Sequence, residues 1–193
     1  MSKPSSPLVI TGGCNCGALR YSFTLPESRQ LLLANNSTCQ CTLCRKFTGT
    51  VVPDLILCQV SWMTSPLIHK SPEYKTYDSN VLPDVTGRRG FCSNCGSSMC
   101  YHTQSIEELT WFAIYLGTVD EEILAGKAIG EKDGKYGVRT ERQGGIGHVL
   151  CDTTNSGHLF VENAVPGWDM KGRKIWRMDE EKWFSTMEEG REK

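Results

Sequence analysis

The chain has 193 residues, with 21 basic and 22 acidic side chains and a net charge of −1. This length suits a single domain, and a hydrophobic content of 39% is enough to build its core. The near-zero charge argues against a surface that binds nucleic acid by neutralising phosphates, and no apolar run reaches the ~18 residues needed to cross a bilayer. We therefore expect a small-molecule substrate and neither nucleic acid nor a membrane as partner, while the oligomeric state stays open.

Ten cysteines are the most unusual feature of the composition. The N-terminus, MSKPSSPLVITGG, has one lysine and too short an apolar stretch for a secretory signal, so we expect a cytoplasmic protein. In a reducing compartment, clustered cysteines bind metal more often than they form disulfides. Metal binding is the favoured interpretation, and five disulfides are the alternative.

The first elements alternate around a Gly-rich turn. Residues 1–9 are predicted to be a loose N-terminus, although a short strand is expected to start within it at Leu8. A turn with Cys14 and Cys16 follows, and then a strand over Ala18–Leu25. The segment LLLANNSTCQC predicts a further strand that leads into a second group of cysteines.

This second group places three thiols, Cys39, Cys41 and Cys44, within six residues. The segment RKFTGT that follows it predicts a turn or short helix, and the apolar, β-branched run Leu55–Trp62 predicts a buried strand. Cys58 lies alone within that run, so we interpret it as a small hydrophobic residue of the core.

The second half of the chain is also dominated by strands. It contains a Cys-x-x-Cys-Gly unit at Cys92 and Cys95, the strong strand TWFAIYLGTV, and the late strand HLFVENAVPGW. Residues 120–147 are Gly-rich and charged, which predicts a surface loop or irregular insertion. The tail DEEKWFSTMEEGREK predicts a short C-terminal helix. We expect one mainly β domain over residues 10–184 and a polar tail over 185–193.

The two cysteine pairs, one near the start of this domain and one in its middle, complement each other. Each pair is half of a tetrahedral sulfur site, and four thiolates are what a closed structural zinc site requires. The alternative is two local disulfides. The spacing of Cys14 and Cys16 argues against it, because a disulfide across one intervening residue is strained.

The triad of Cys39, Cys41 and Cys44 supplies only three ligands, which is the number that catalytic zinc takes from a protein while one position stays open. Two alternatives remain. An iron–sulfur cluster would need a fourth ligand, for which Cys58, Cys100 and Cys151 are candidates. A second structural zinc would be completed by Cys100 or a histidine.

The motifs GGCNCGALRY, CQCTLCRKFTG, Tyr77 with RRGFCSNCGSSMCY, and HLFVENAVPGW together resemble the glutathione-dependent formaldehyde-activating enzymes and the related centromere-protein-V-like proteins. The resemblance spans about residues 10–170. It implies an Mss4-like β-sandwich of short antiparallel sheets. It also implies a carbon–sulfur lyase that joins formaldehyde to glutathione as S-hydroxymethylglutathione.

The resemblance further implies two zinc ions per chain, with glutathione as substrate or co-substrate. The implied ligands of the structural zinc are Cys14, Cys16, Cys92 and Cys95. Those of the catalytic zinc are Cys39, Cys41 and Cys44.

The chain departs from the family pattern around these ligands. Asn15 and Gln40 stand where many members carry histidine, and DMKGRKIW replaces an acidic-Gly-Leu-Pro turn. Formaldehyde also adds to glutathione unaided. The carbon substrate is therefore open, and an aldehyde or glutathione adduct other than formaldehyde is compatible with the motifs.

Several other side chains are candidates for roles around the site. Arg45 and Lys46 follow the triad and could pair with a glutathione carboxylate, or could lie in a solvated turn. His102 and His158 are expected to be structural, and Trp168 to plug the core.

Two functions of different classes remain. One is an enzyme in which zinc thiolates act on glutathione and an aldehyde. The other is a non-catalytic, zinc-stabilised binding module of the centromere-protein-V-like type. Such modules are expected to carry a basic extension, which this chain lacks, so the enzyme is favoured.

Overall fold

The computed structural model describes residues 7–25, 36–64, 67–147, 157–159, 165, 174–177 and 182–184. The strands, in chain order, are β1 Leu8–Gly13, β2 Arg20–Leu25, β3 Asn36–Cys39, β4 Asp54–Gln59, β5 Tyr74–Leu82, β6 Val85–Cys92, β7 Ser98–His102, β8 Trp111–Tyr115, β9 Lys127–Gly134, β10 Gly137–Gln143, β11 Gly157–Leu159, β12 Lys174–Arg177 and β13 Lys182–Phe184. The helices are α1 Thr42–Thr48 and α2 Glu121–Leu124, with single 3₁₀ turns at Val60–Trp62, Ile68–Lys70 and Leu116–Thr118. The predicted mainly β fold is confirmed.

The described strands form one large sheet and two hairpins. The large sheet has nine strands in the order β13-β12-β11-β3-β4-β8-β7-β6-β5. Adjacent strands of this sheet are antiparallel except at β11, which runs parallel to both β3 and β12. The strands β1 and β2 pair as an antiparallel hairpin, and β9 pairs with β10 in the same way.

The large sheet is covered on both faces near β8. Phe112 and Ile114 belong to a core shared with β1 and β2, whereas Ala113 and Tyr115 point to the other face and pack with the cysteine triad. Successive residues of a strand face opposite sides, so a strand covered on both faces has no polar side. This explains the continuous apolar run that predicted β8. Cys58 is fully buried in the first of these cores, as predicted.

The hairpin of β1 and β2 closes this core from one side. Ile10, Tyr21, Phe23 and Leu25 are its buried side chains, and they alternate with more exposed ones along each strand. The strand predicted from Ala18 starts at Arg20, two residues later.

Two predictions of secondary structure need correction. Residues 120–147 are not irregular: α2 is followed by the regular hairpin of β9 and β10, which is exposed along nearly its whole length. The predicted C-terminal helix is wrong over Lys182–Phe184, because β13 pairs antiparallel with β12. Local propensity favoured a helix there, and strand pairing overrides it. Trp168 lies outside the described residues, and so does the tail except for residues 182–184.

No helix within the described part of the chain is long and apolar enough to span a membrane.

Candidate metal centres

The turns after β1 and β6 bring four cysteines together. Sγ atoms of Cys14, Cys16, Cys92 and Cys95 all lie within 4.8 Å of one another. The Cys14–Cys16 and Cys16–Cys92 sulfur pairs are 3.5 Å and 3.9 Å apart. Four sulfurs bound tetrahedrally at ~2.3 Å from zinc are separated by about 3.8 Å, so the donor set and its spacing fit that ion. We call this group the four-cysteine cluster.

Two similar turns shape the four-cysteine cluster. Gly17 and Gly96 each follow the second cysteine of a pair and have positive φ angles of 80° and 75°. The Gly17 amide donates to the Cys14 carbonyl, and the Gly96 amide donates to the Cys92 carbonyl. The Leu19 amide donates to Cys14 Sγ at 3.2 Å. Glycine reaches this left-handed conformation without strain, which is why the motif needs it there.

The described cysteines are all free thiols, so none of the predicted disulfide alternatives is present among them; they are Cys14, Cys16, Cys39, Cys41, Cys44, Cys58, Cys92, Cys95 and Cys100. Cys58 and Cys100 are buried in the core on the other face of the sheet from the triad. Neither therefore completes the triad as a fourth ligand, and Cys151 lies outside the described residues.

The triad forms where β3 runs into α1. Cys39 ends β3, Cys41 caps the helix, and Cys44 lies in its first turn. Their Sγ atoms lie within 4.8 Å of one another, and within the described residues no fourth cysteine, histidine or carboxylate joins this group. The Cys44 amide donates to Cys41 Sγ at 3.3 Å. The cap geometry thus turns one thiol back toward the other two.

The triad is buried, so its electrostatic environment differs from that of the four-cysteine cluster. Its three residues are only 3–5% exposed, whereas Cys16 and Cys95 are exposed to solvent. Hydrogen bonds from the Cys39 and Cys44 thiols lower the pKa of Cys41. The hydrogen bond that the Cys39 thiol makes to Cys41 in turn raises the pKa of Cys39. A group that shares protons in this way is suited to bind a cation in their place.

A buried arginine, Arg89, contacts the triad from β6. Its Nη2 donates to Cys44 Sγ at 3.6 Å, and Tyr115 Oη donates to the same sulfur at 4.0 Å. Burial works to lower the pKa of Arg89, but the negative charge of Cys44 and Cys41 outweighs it, so the pKa lies above its ordinary value. The guanidinium therefore carries a fixed positive charge beside the sulfurs.

A cleft of about 1220 Å³ lies next to the triad. Phe47 and Tyr115 line it, with ring centroids 6.0 Å apart, and the same two rings pack against the triad. Cys14 of the four-cysteine cluster and the nearby Ser97 also line the cleft. The cleft and the triad thus share one aromatic wall.

The match to a known family covers this whole arrangement. A family model described as glutathione-dependent formaldehyde-activating enzyme matches residues 9–131, which is more than half of the chain and includes all seven clustered cysteines. The chain belongs to this family. Membership supports a glutathione-related, formaldehyde-activating function, and the two cysteine clusters fit metal ions. The resemblance noted from the motifs is confirmed.

The structure separates the two basic residues that were predicted to meet glutathione in this family member. Lys46 lines the cleft. Arg45 turns back toward the junction of β3 and α1, where its Nη1 donates to the Gln40 carbonyl and its Nη2 to Thr42 Oγ1 at 3.4 Å. A role for either residue in binding glutathione stays a prediction, and the geometry favours Lys46.

The histidines of this family member hold structure together. His102 is buried and hydrogen-bonded to Tyr74 Oη and to the Gln104 carbonyl, and His158 is buried and hydrogen-bonded to Thr38. Both agree with the structural role expected. His69 is half-buried against the Phe112 ring.

Arg89 is the residue near the site that sequence reasoning missed. It lies in the recognised RRGFC motif beside Arg88, whose side chain instead donates to the Thr103 carbonyl. Strand alternation predicts that the two arginines face opposite sides. It does not say which of them faces the triad.

Proposed function

We propose that this chain is a zinc-thiolate carbon–sulfur lyase that acts on glutathione and an aldehyde, or on a glutathione adduct, in the cytoplasm. The observation that carries the proposal is the triad of Cys39, Cys41 and Cys44, which has no fourth side-chain ligand among the described residues and packs against two rings, Phe47 and Tyr115, that line a cleft. A four-ligand site holds a fold together, whereas a three-ligand site leaves one position for a substrate.

In this proposal the two clusters divide the work. The four-cysteine cluster holds a structural zinc that ties the β1–β2 hairpin to the large sheet. The triad holds the catalytic zinc, which when bound would favour thiolate over thiol and polarise a carbonyl group. The reaction itself forms one carbon–sulfur bond: the glutathione sulfur adds to the aldehyde carbon, and the thiol proton ends on the aldehyde oxygen.

The cleft supplies the binding surface for the tripeptide. Its volume of about 1220 Å³ is large enough for a molecule of drug size or more. Lys46 is exposed on its wall and can pair with a glutathione carboxylate, whereas Arg20 is already paired with Asp120 at 2.5 Å. Phe47 and Tyr115 shield the triad from water, which strengthens electrostatic interactions on their far side.

The test combines metal content with a rate. Protein purified without added zinc is expected to contain about two zinc ions per chain by elemental analysis. Because formaldehyde adds to glutathione unaided, the activity is measured by NMR as the rate of exchange between free and hydroxymethylated glutathione, compared with the same mixture without protein. The matched variant Cys41→Ser is expected to keep one zinc and to lose the acceleration.

Other outcomes would contradict the proposal. Protein that contains iron and absorbs visible light would show that the triad holds an iron–sulfur cluster and not zinc. Protein with two zinc ions that neither binds glutathione at millimolar concentration nor accelerates its exchange with any aldehyde tested would favour the non-catalytic binding module.

A further inference from the structure

Arg89 is a fully buried charge whose balancing charge is not a carboxylate. Only 1% of the residue is exposed. Among the described residues no aspartate or glutamate forms an ion pair with it, although the neighbouring Arg88 pairs with Asp78 at 3.6 Å. An uncompensated charge in the interior is strongly unfavourable, so a buried arginine requires an anionic partner.

The contacts of Arg89 point to the triad as that partner. Nη2 donates to Cys44 Sγ at 3.6 Å, Nη1 donates to Ser79 Oγ, and the guanidinium carbon lies 5.3 Å from the centre of the Tyr101 ring. Nε is buried and has no hydrogen-bond partner among the described residues. The serine and the ring fix the orientation of the guanidinium, and the sulfur is its one anionic contact in the described part of the chain.

The charges of the two clusters explain why only one needs such a residue. Three thiolates and a divalent cation sum to one negative charge, which a single arginine cancels. The four-cysteine cluster carries two negative charges with a divalent cation, but Cys16 and Cys95 are exposed, so water screens them. The triad is only 3–5% exposed, so its excess charge has to be balanced by the protein.

We propose that Arg89 is a positioning residue for the metal of the triad: its guanidinium cancels the excess negative charge of the three thiolates and holds Cys44 Sγ in place. The inference rests on the proposed assignment of the triad as a metal site. The inference adds that the triad, its metal ion and Arg89 together carry no net charge. A substrate thiolate that joins them therefore brings one uncompensated negative charge into the interior, where without Arg89 there would be two. Arg89 thereby favours the thiolate form of an incoming substrate.

The experiment measures zinc affinity, which does not depend on turnover. Full-length protein is titrated against a chromogenic zinc chelator, and the weaker of its two sites is followed in wild type, Arg89→Gln, Arg89→Lys and the neighbouring control Arg88→Gln. Gln keeps a hydrogen-bond donor for Ser79 without the charge, and Lys keeps the charge without the fork of five donors.

The expected result is a loss of about 10- to 100-fold in triad zinc affinity for Arg89→Gln, as is typical when a residue that supports a metal ligand is removed. The zinc affinity of the four-cysteine cluster should be unchanged in every variant, and Arg88→Gln should leave the affinity of the triad unchanged as well. Arg89→Lys should retain more triad zinc affinity than Arg89→Gln. A purely structural arginine would give equal losses for Lys and Gln. Should Arg89→Gln not fold, Arg89→Met takes its place in the comparison.

Three results would overturn the inference: unchanged triad affinity in Arg89→Gln, equal weakening by Lys and Gln, or a wild type with no second zinc site. A wild type that binds two zinc ions without accelerating the glutathione reaction refutes the proposed function alone. The Arg89 comparison then still decides whether the charge supports the metal.

Discussion

Removing one ligand from each cysteine cluster should have very different effects on stability. Cys92→Ser opens the four-cysteine cluster, which joins the turn after β1 to the end of β6 through residues 76 positions apart, Cys16 and Cys92. Cys41→Ser opens the triad, whose three cysteines lie within one strand–helix junction. We expect the first change to damage the fold and the second to damage the function.

The size of the first effect follows from the length of chain that the cluster closes. A cross-link between positions 76 residues apart removes about 4.5 kcal/mol of loop-closure entropy from the unfolded chain. For a chain of this length, each kcal/mol shifts the melting temperature by about 2–4 °C. Cys92→Ser should therefore lower the melting temperature by roughly 9–18 °C.

The triad closes a much shorter segment, and β3 is already held by hydrogen bonds to β4. We therefore expect Cys41→Ser to lower the melting temperature by less than half as much as Cys92→Ser. Thermal unfolding followed by circular dichroism, with the zinc content of each sample measured by elemental analysis, makes the comparison. Equal losses of stability would show that the triad is structural too, and the division between the two clusters would be wrong.

Three further predictions concern the cleft and the surface. Lys46→Ala should weaken glutathione binding about two- to fivefold by calorimetry with zinc content unchanged, as expected for an exposed ion pair, whereas Arg45→Ala should mainly reduce the zinc content of the triad; the opposite pattern would contradict the assignment. Hydrogen bonds from Arg20 lower the pKa of Asp120, so this pair stabilises the fold above the unfolded pKa of about 4 and loses its effect as the pH falls through the lower folded value. The melting temperature of Asp120→Asn should thus fall below that of wild type at pH 7 and converge with it in acid, and a difference that persists in acid would refute the ion pair as its cause. Deleting residues 127–143 should leave the zinc content and the melting temperature nearly unchanged, since that hairpin is exposed, and a large loss of stability would show that it is part of the core.

Local chemistry explains what the sequence by itself determined. The two turns of the four-cysteine cluster depend on cysteines with one or two residues between them and on a glycine after each pair, and Gly17 and Gly96 have the positive φ angles that this arrangement needs. The triad is equally local, because its three thiols fall within six residues. Alternation predicted β1 and β2, and a continuous apolar run predicted β8, because the period of a strand decides which side chains are buried.

Only the tertiary structure decided which charged residues meet the site. Arg88 and Arg89 are identical in type and adjacent, and the pairing of β6 with β5 and β7 turns Arg89 toward the triad. In the same way, Arg45 donates to the Gln40 carbonyl between two triad cysteines, while Lys46 lines the cleft. The strand β13 replaces a predicted helix because it pairs with β12. The residues of β13 alone do not predict that pairing. Each of these outcomes depends on contacts between segments far apart in the chain, and local propensity carries no information about such contacts.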